Sequence, residues 1–346
     1  MKVILSFRKL VLAALAALIT SNATIPAASA QAVSQAGFDA YLQYVAAKAS
    51  SEGISEVTIS RTLSGLTLNP RVIELDTAQP GRQNLPPPLA PYLARHVDSA
   101  RANGGKAKLN QVASLLPALD RRFGVPPQVV TAIWGHETNY GSYTGDFDLA
   151  RSLATLAYEG RRRALFEGEL ITLMKMVDRG VPLSRMKGSW AGAFGYPQFL
   201  PSVYLTNAAD GDGDGFADIW GSSADTLASI SNYFVKAGWR HGQPWGVGAA
   251  VPSGFNPAGY PSRLAPPTCT RVHDRHSAWK TVDEWRALGV RPLAPIQGDV
   301  LTTLFQPDGA GTRAWLLTGN YRVILQYNCS NYYAMSVGLL ADEIAN

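Results

Sequence analysis

The chain has 346 residues, of which 46% are apolar and 16% are charged, a balance typical of folded globular proteins. The formal net charge of +5 falls to +2 once residues 1–30 are removed, because that segment has three basic and no acidic side chains. So small a charge excludes the strongly basic surface expected of a protein that binds nucleic acid or a membrane surface.

The first thirty residues have the pattern of a secretory signal peptide. Lys2, Arg8 and Lys9 precede an apolar run over residues 10–19, and the small residues 28–30 provide a cleavage site. The apolar run is too short to span a bilayer, and no later segment has the pattern of a transmembrane helix. No cysteine near the cleavage site is available to carry a lipid anchor. We therefore expect a soluble exported protein.

The rest of the chain predicts an α+β fold that is mainly α. Residues 76–91 are rich in proline and are expected to form an extended connector. After residue 239 proline and glycine become frequent, and β-prone runs at 314–318 and 321–327 predict a small β-containing part. Apolar spacing predicts helices over residues 31–65, 92–101, 109–123, 126–141, 153–157, 165–177, 227–237 and 331–345.

Residues 124–142 contain an acid on an apolar helix face. Val130, Ile133 and Trp134 recur at helical spacing, and Glu137 follows on the same face. Gly141 is the expected stop signal. Burial raises the pKa of a carboxyl group, so such an acid can keep its proton near neutral pH and donate it. The alternative is a structural glutamate that binds backbone groups or an arginine.

Residues 188–205 are dense in glycine and aromatic residues and include Gln198. This composition indicates a loop and a short helix where backbone and ring faces approach a ligand. A tightly packed turn is the alternative interpretation.

Residues 210–221 resemble the start of an EF-hand calcium loop. Acids stand at positions 1, 3, 5 and 9 of the loop, the last of them Asp218, but the usual glutamate at position 12 is replaced by Gly221. Asp225 is placed to supply the missing carboxylate. A solvated acidic turn is the alternative. The candidate ligands are the side chains of Asp210, Asp212, Asp214 and Asp225 and the backbone carbonyl of Phe216.

Other chemistries have weak support. Ser189 has no neighbouring base and no nucleophile elbow, His136 lacks the second histidine of a zinc helix, and no nucleotide-binding glycine pattern is present. Asp146 and Asp148 are candidates for a second carboxylate beside Glu137, although Asp148 is also placed to cap a helix. The two cysteines, at 269 and 329, permit one disulfide in an exported protein, or two free thiols.

Several motifs occur in one order from about residue 90 to the C-terminus. They are Phe-Gly-Val-Pro-Pro at 123–127, Trp-Gly-His-Glu-Thr-Asn-Tyr-Gly at 134–141, the segment at 189–204 from Ser-Trp-Ala-Gly to Pro-Ser-Val-Tyr, the acidic loop through Trp220, Asn-Tyr-Phe at 232–234, Gly-Trp at 238–239 and Tyr-Asn-Cys-Ser-Asn-Tyr-Tyr-Ala-Met-Ser-Val at 327–337. By these motifs the sequence resembles the lytic murein transglycosylase B family (glycoside hydrolase family 103), a lysozyme-like group that cleaves peptidoglycan strands.

The resemblance implies a division of the chain and a set of site residues. After the signal peptide it implies a helical N-terminal part (31–122), a lysozyme-like catalytic core (123–239), a small β-containing part (240–325) and a C-terminal segment (326–346). The family's catalytic acid falls on Glu137. Substrate-binding residues fall on Ser189, Gln198, Phe199, Tyr233, Tyr327, Tyr333 and Tyr92, with an arginine pair facing the peptide stem at Arg161 and Arg162. Pro197 departs from the glycine of well-known members.

The resemblance also implies a mechanism that needs one carboxylate. Glu137 would protonate the bond between N-acetylmuramic acid and N-acetylglucosamine and then deprotonate the muramic C6 hydroxyl, closing a 1,6-anhydro ring without water. It implies one structural calcium ion, a periplasmic location, peptidoglycan strands as the partner and a monomer. Two rival interpretations are a hydrolytic muramidase and a peptidoglycan-binding protein without activity.

Overall fold

The computed structural model describes residues 33–79, 88–262 and 268–346. The predicted signal peptide, residues 1–30, lies outside the described residues. Within them, no helix combines the length and the apolar character needed to cross a bilayer. The mainly helical α+β prediction is confirmed.

Helices form most of the molecule, and two small sheets complete it. The helices are α1 (Gln35–Ser51), α2 (Glu56–Leu63), α3 (Pro70–Thr77), α4 (Leu89–His96), α5 (Ser99–Gln111), α6 (Leu116–Phe123), α7 (Pro127–Thr138), α8 (Leu149–Glu159), α9 (Arg163–Asp178), α10 (Pro201–Asn207), α11 (Ser223–Lys236), α12 (Thr270–His273), α13 (Val282–Ala287), α14 (Gly319–Tyr327) and α15 (Asn331–Ala345). The strands are β1 (Phe147–Asp148), β2 (Lys187–Gly188), β3 (Gly246–Ala250), β4 (Trp279–Thr281), β5 (Arg291–Pro292), β6 (Leu301–Phe305) and β7 (Ala314–Leu317).

Two hydrophobic clusters lie on either side of the segment that follows α7. The first joins α7 to α5, α11, α14 and α15, and Trp134 and Ile133 of α7 are fully buried in it. The second joins α1 and α2 to α8 and α9 and extends to Phe199 of the loop before α10. The burial of apolar side chains on both sides holds the loops between them in place.

The larger sheet is antiparallel and has the strand order β4-β6-β7-β3-β5. Leu316 of β7 lies opposite Val247 on one side and Leu304 on the other, and all three side chains are buried. Trp285 of α13 is fully buried in the same cluster. The sheet is therefore held by a core of its own.

The run at 321–327 was predicted to be β-prone, and this prediction is wrong, because the run belongs to helix α14. The Thr318 side chain accepts a hydrogen bond from the Asn320 backbone N–H and starts the helix. Tyr321, Ile324 and Leu325 then bury one helical face. Burial at a period of 3.6 residues outweighs the β propensity of these residues.

Several predicted helix boundaries also differ. Gly53, with φ of 84°, and the cap residue Ser55 divide the predicted helix 31–65 into α1 and α2. Both ends of the predicted connector 76–91 are helical, because α3 extends to Thr77 and Pro91 lies in the first turn of α4, where proline is tolerated. Residues 80–87 of that connector lie outside the described residues. The predicted helix 92–101 breaks at Val97 and Asp98, and the predicted helix 109–123 is interrupted between Gln111 and Leu116.

Candidate active site

Helix α7 carries Glu137 in its last turn. Val130, Ile133 and Trp134 are buried, as the periodicity predicted, and Glu137 itself is half-buried. The helix ends at Thr138 because Asn139 adopts left-handed backbone geometry, with φ of 46°. The stop thus comes two residues before the predicted Gly141.

The Glu137 carboxyl has one side-chain hydrogen-bond partner among the described residues. The Tyr333 hydroxyl, on α15, donates to Oε1 at 2.6 Å. Burial raises the Glu137 pKa to about 7, and the hydrogen bond from Tyr333 opposes that rise. At neutral pH the group is therefore divided between its protonated and ionised forms, as a group that donates and later accepts a proton must be.

A row of stacked rings leads away from Tyr333. Tyr92 stacks on His96 with ring centroids 4.0 Å apart, His96 lies 5.7 Å from His136, and the His136 ring lies 5.4 Å from that of Tyr333. Burial lowers the His136 pKa to about 3, so this imidazole is uncharged at neutral pH. Tyr92 was predicted from the sequence, whereas His96 and His136 were not. The position of His136 directly before Glu137 was the one available signal.

The loop before α10 brings Gln198 and Phe199 to the second cluster. Gln198 adopts φ of 51°, and its side-chain amide donates to the carbonyl of Thr144 at 3.1 Å and of Gly195 at 3.0 Å. Phe199 is 2% exposed. The loop is fixed by these bonds, and it is tied through Thr144 to the segment that follows Glu137.

Tyr233 and Tyr327 pack together against Phe199. The Tyr233 and Tyr327 rings meet edge to face with centroids 5.0 Å apart, and each lies within 6.3 Å of the Phe199 ring. The Tyr327 hydroxyl donates to the carbonyl of Pro197 at 2.5 Å, so the residue that departs from the family pattern fixes a predicted site tyrosine. Burial and the nearby Glu137 charge raise the pKa of Tyr327.

Ser189 does not contact a base among the described residues. Its side-chain oxygen accepts a hydrogen bond from the Ala193 N–H at 3.0 Å and closes a turn of the loop. This arrangement agrees with the expectation that Ser189 is no nucleophile.

The predicted arginine pair binds a buried carboxylate. Asp76 of α3 is 1% exposed, and its carboxylate oxygens accept hydrogen bonds from Arg161 at 2.8 Å and from Arg162 at 2.7 Å. Arg161 also donates to the Asp76 carbonyl. The Arg161 and Arg162 side chains remain 45% and 41% exposed, so each is still partly open to solvent. Asp76 was not predicted from the sequence, since it lies 85 and 86 residues before its two partners.

The acidic loop brings three carboxylates together. Oxygens of Asp210, Asp212 and Asp214 lie within 4.8 Å of one another. Asp225 is fully buried below them and accepts hydrogen bonds from the backbone N–H groups of Gly211 and Asp218, both at 2.7 Å. Oxygen donors so closely spaced repel one another as anions and match the preference of a hard divalent cation.

Two further predicted members of the loop have other contacts. Asp218 accepts from Arg185 at 2.5 Å and from the N–H groups of Trp220 and Gly221, so its carboxylate is already paired. The Phe216 carbonyl accepts from the Asp218 N–H at 3.1 Å. The loop fits a cation best through Asp210, Asp212 and Asp214, with Asp225 fixing the backbone beneath them.

The turn between α14 and α15, which separates Tyr327 from Tyr333, is anchored to the β-containing part. Cys269 and Cys329 are joined, with Cα atoms 5.3 Å apart, a usual separation for a disulfide. Asn331 donates to the Val272 carbonyl at 2.8 Å, and its side-chain oxygen lies 2.8 Å from His276 Nε2. Both tyrosines are thus held by contacts on either side of the turn.

Comparison with known proteins decides the family. The transglycosylase SLT domain family matches residues 37–342. The chain belongs to this family. The expected family, fold class and transglycosylase activity are thereby confirmed.

Three relatives match most of the chain, two of them by structure as well as by sequence. SltB3 from Pseudomonas aeruginosa, solved in complex with NAG-NAM-pentapeptide, is 39% identical with a TM-score of 0.79, over 89% of this chain and 80% of that one. The lytic transglycosylase Slt35 from Escherichia coli, solved with calcium, is 27% identical with a TM-score of 0.71, over 90% of this chain and 93% of that one. The membrane-bound lytic murein transglycosylase B of E. coli K12 is 29% identical, over 88% of this chain and 82% of that protein.

Proposed function

We propose that this transglycosylase cleaves the β-1,4 bond between N-acetylmuramic acid and N-acetylglucosamine in peptidoglycan, with Glu137 as acid and then as base. Protonated Glu137 donates its proton to the glycosidic oxygen as the bond to the muramic C1 breaks. The substrate's acetamido oxygen stabilises the cationic carbon. The Glu137 carboxylate then takes the proton of the C6 hydroxyl, whose oxygen bonds to C1. A 1,6-anhydro ring forms, and no water is consumed.

One observation carries the proposal. Glu137 is a half-buried carboxyl whose pKa of about 7 is set by burial and by a single phenol, and no other carboxylate within the described chain shifts it. A two-carboxylate mechanism needs a second acid close by. Of the two candidates, Asp148 caps α8 through the Arg151 N–H, and Asp146 is exposed. A mechanism in which one acid both donates and accepts the proton suits a site with a single such carboxyl group.

The remaining residues are proposed to bind substrate. Tyr333 orients the acid, and the exposed faces of Arg161 and Arg162 are available to a peptide stem. The sugar-binding set comprises Ser189, Gln198, Phe199, Tyr233, Tyr327 and Tyr92.

Digestion of purified sacculi tests the reaction. Glu137→Gln keeps the shape of the side chain but removes its acid, and we expect turnover to fall by roughly 10²–10⁴-fold. Asp146→Asn is the matched control and should retain wild-type turnover. Mass spectrometry of the wild-type products should find ends lighter than reducing ends by one water. Reducing ends would identify a hydrolase instead, and full activity of Glu137→Gln would refute the assigned acid.

We also infer one structural Ca²⁺ ion in the acidic loop, held by Asp210, Asp212, Asp214 and the Phe216 carbonyl, with Asp225 completing or supporting the site. Thermal unfolding in calcium and in chelator tests this. At a thousandfold excess over Kd, calcium should stabilise the fold by about 4 kcal/mol. Asp212→Asn/Asp214→Asn should lose most of that difference. Equal melting temperatures in calcium and chelator would exclude the site.

Further proposals concern location and organisation. We propose that residues 1–30 are a signal peptide and that the mature chain acts in the periplasm as a monomer. The proposed division is a helical part (31–122), a catalytic core (123–239), a β-containing part (240–325) and a C-terminal segment (326–346).

A further inference from the structure

A pocket of about 680 Å³ lies beside the end of the catalytic helix, on the side of α5. Arg101 and Lys108 of α5 line it, together with Asn139, Tyr140 and Ser142 of the segment that follows Glu137. Arg101 and Lys108 are seven residues apart and so project from one face of the helix. The small residues between them on that face, Gly104 and Ala107 among them, leave the space open.

The two cations of this pocket have no anionic partner in the described part of the chain. The ion pairs found there involve other basic residues. Asp98 is nearby, but its carboxylate accepts from the Arg101 backbone N–H at 2.9 Å and caps α5. The Arg101 side chain donates to the His96 carbonyl, while its Nε is buried without a hydrogen bond. Lys108 Nζ lies 5.1 Å from the centre of the Trp134 ring.

The pocket is held rigidly to the catalytic acid. Asn139 and Tyr140, two and three residues after Glu137, adopt φ of 46° and 60°, a geometry costly for residues with a side chain. This bend returns the Tyr140 ring to α5, where its hydroxyl donates to the Arg101 carbonyl at 2.7 Å. A Cβ atom on Gly104 would lie 2.8 Å from that ring, so only glycine allows the approach. The two strained residues, Asn139 and Tyr140, thus line the pocket and connect it through the backbone to Glu137.

The charge of the pocket points to one part of the substrate. The hydroxyl and acetamido groups of a glycan are neutral and gain little from two unpaired cations. A peptide attached to the glycan ends in a carboxylate, which arginine and lysine bind by charge-assisted hydrogen bonds. The relative SltB3 has been solved with NAG-NAM-pentapeptide, a ligand that has such a peptide.

We propose that Arg101 and Lys108 bind a carboxylate of the peptide stem on the muramic sugar beside the cleaved bond, an inference that rests on the proposed function for its substrate. Asn139 and Ser142 are placed to bind the amide groups of the same peptide. This site is separate from the Arg161–Arg162 pair on Asp76. It selects strands that still have their peptides.

Titration of two ligands tests the pocket without relying on turnover. NAG-NAM-pentapeptide and peptide-free NAG-NAM are titrated into Glu137→Gln and into the same protein with Arg101→Gln/Lys108→Gln. In the Arg101→Gln/Lys108→Gln protein we expect Kd for the pentapeptide ligand to be at least tenfold higher than in Glu137→Gln alone. The preference for this ligand, measured as the ratio of the NAG-NAM Kd to the pentapeptide Kd, should fall by the same factor. Lys106→Gln/Arg121→Gln removes two charges outside the pocket and should leave the preference unchanged.

The proposal would be overturned if the Arg101→Gln/Lys108→Gln protein kept the same preference for the pentapeptide ligand. An equal loss of affinity for both ligands would overturn it as well. Because the Arg101 side chain binds a backbone carbonyl, Lys108→Gln alone replaces the double variant if that protein does not fold. We expect this single variant to bind the pentapeptide ligand at least threefold more weakly. Raising the salt concentration should weaken pentapeptide binding in the parent protein and not in the double variant. Failure of sacculus digestion would refute the proposed reaction without changing these binding results.

Discussion

Asp76 and Glu137 are both carboxyl groups that the fold withdraws from water, yet their partners differ. Asp76 is 1% exposed and receives two guanidinium groups, so its charge is compensated. Glu137 receives one phenol and no cation, and burial raises its pKa to about 7. The first acid is paired with two cations, whereas the second has none and keeps a proton available.

The difference separates an acid suited to a structural role from one suited to the proposed proton transfer. Pairing with a cation gives a carboxylate one stable protonation state and joins α3 to the turn between α8 and α9. Burial without a cation leaves the two protonation states close in free energy, which proton transfer requires. Asp76 is the more buried of the two acids, so the degree of burial does not by itself mark the acid suited to proton transfer.

The largest expected effect comes from removing the cations of Asp76. Arg161→Met/Arg162→Met leaves a buried anion without a partner, and we expect a loss in the free energy of unfolding several times that caused by breaking two exposed ion pairs. Denaturant unfolding measures it. The control Arg71→Met/Arg286→Met breaks two exposed ion pairs and should cost less than about 1 kcal/mol per pair. Equal losses in the two variants would remove the contrast between the acids.

The second effect is on pH dependence at Glu137. Because the acid must be protonated to start the reaction, kcat/KM should fall about tenfold per pH unit above pH 7. The raised pKa also means that the folded protein keeps, between pH 4.5 and 7, a proton that the unfolded chain has lost. The free energy of unfolding should therefore decrease across that range as pH rises, by about 3 kcal/mol for this group.

Glu137→Gln provides the control for that measurement. The free energy of unfolding of this variant should not show the decrease that Glu137 causes between pH 4.5 and 7. The difference in this free energy between the variant and the wild type should therefore change steadily across that range. A rate profile that stays flat to pH 9, or parallel stability curves for both proteins, would show that Glu137 titrates as an ordinary carboxyl.

The smallest effect concerns the phenol. Tyr333→Phe removes the hydrogen bond that lowers the Glu137 pKa, so the alkaline limb of the rate profile should move to higher pH. Turnover at pH 7 should fall about fivefold, the value of one hydrogen bond of about 1 kcal/mol. Tyr204→Phe, which loses a buried hydrogen bond to Ala217, is the control and should leave the limb in place. A limb that does not move in Tyr333→Phe would mean that the phenol does not bind the acid in solution.

The sequence predicted what depends on neighbours along the chain. Helix α7 followed from the spacing of Val130, Ile133 and Trp134, and the close approach of Asp210, Asp212 and Asp214 followed from a local loop pattern. Two features were not predictable in this way. The helical form of 321–327 is decided by burial against other helices, and the pairing of Asp76 with Arg161 joins residues 85 positions apart. The roles of the site residues and the domain boundaries stay predictions.

The hydrogen bond between Tyr333 and Glu137 spans 196 residues of sequence. Tyr327 and Tyr333 both follow residue 326, whereas Glu137, the loop of Gln198 and the acidic loop all precede residue 226. A chain that ends before residue 327 has Glu137 but lacks both the phenol that binds it and the ring that packs on Phe199. Truncation at that point would therefore leave the proposed acid without its hydrogen-bond partner.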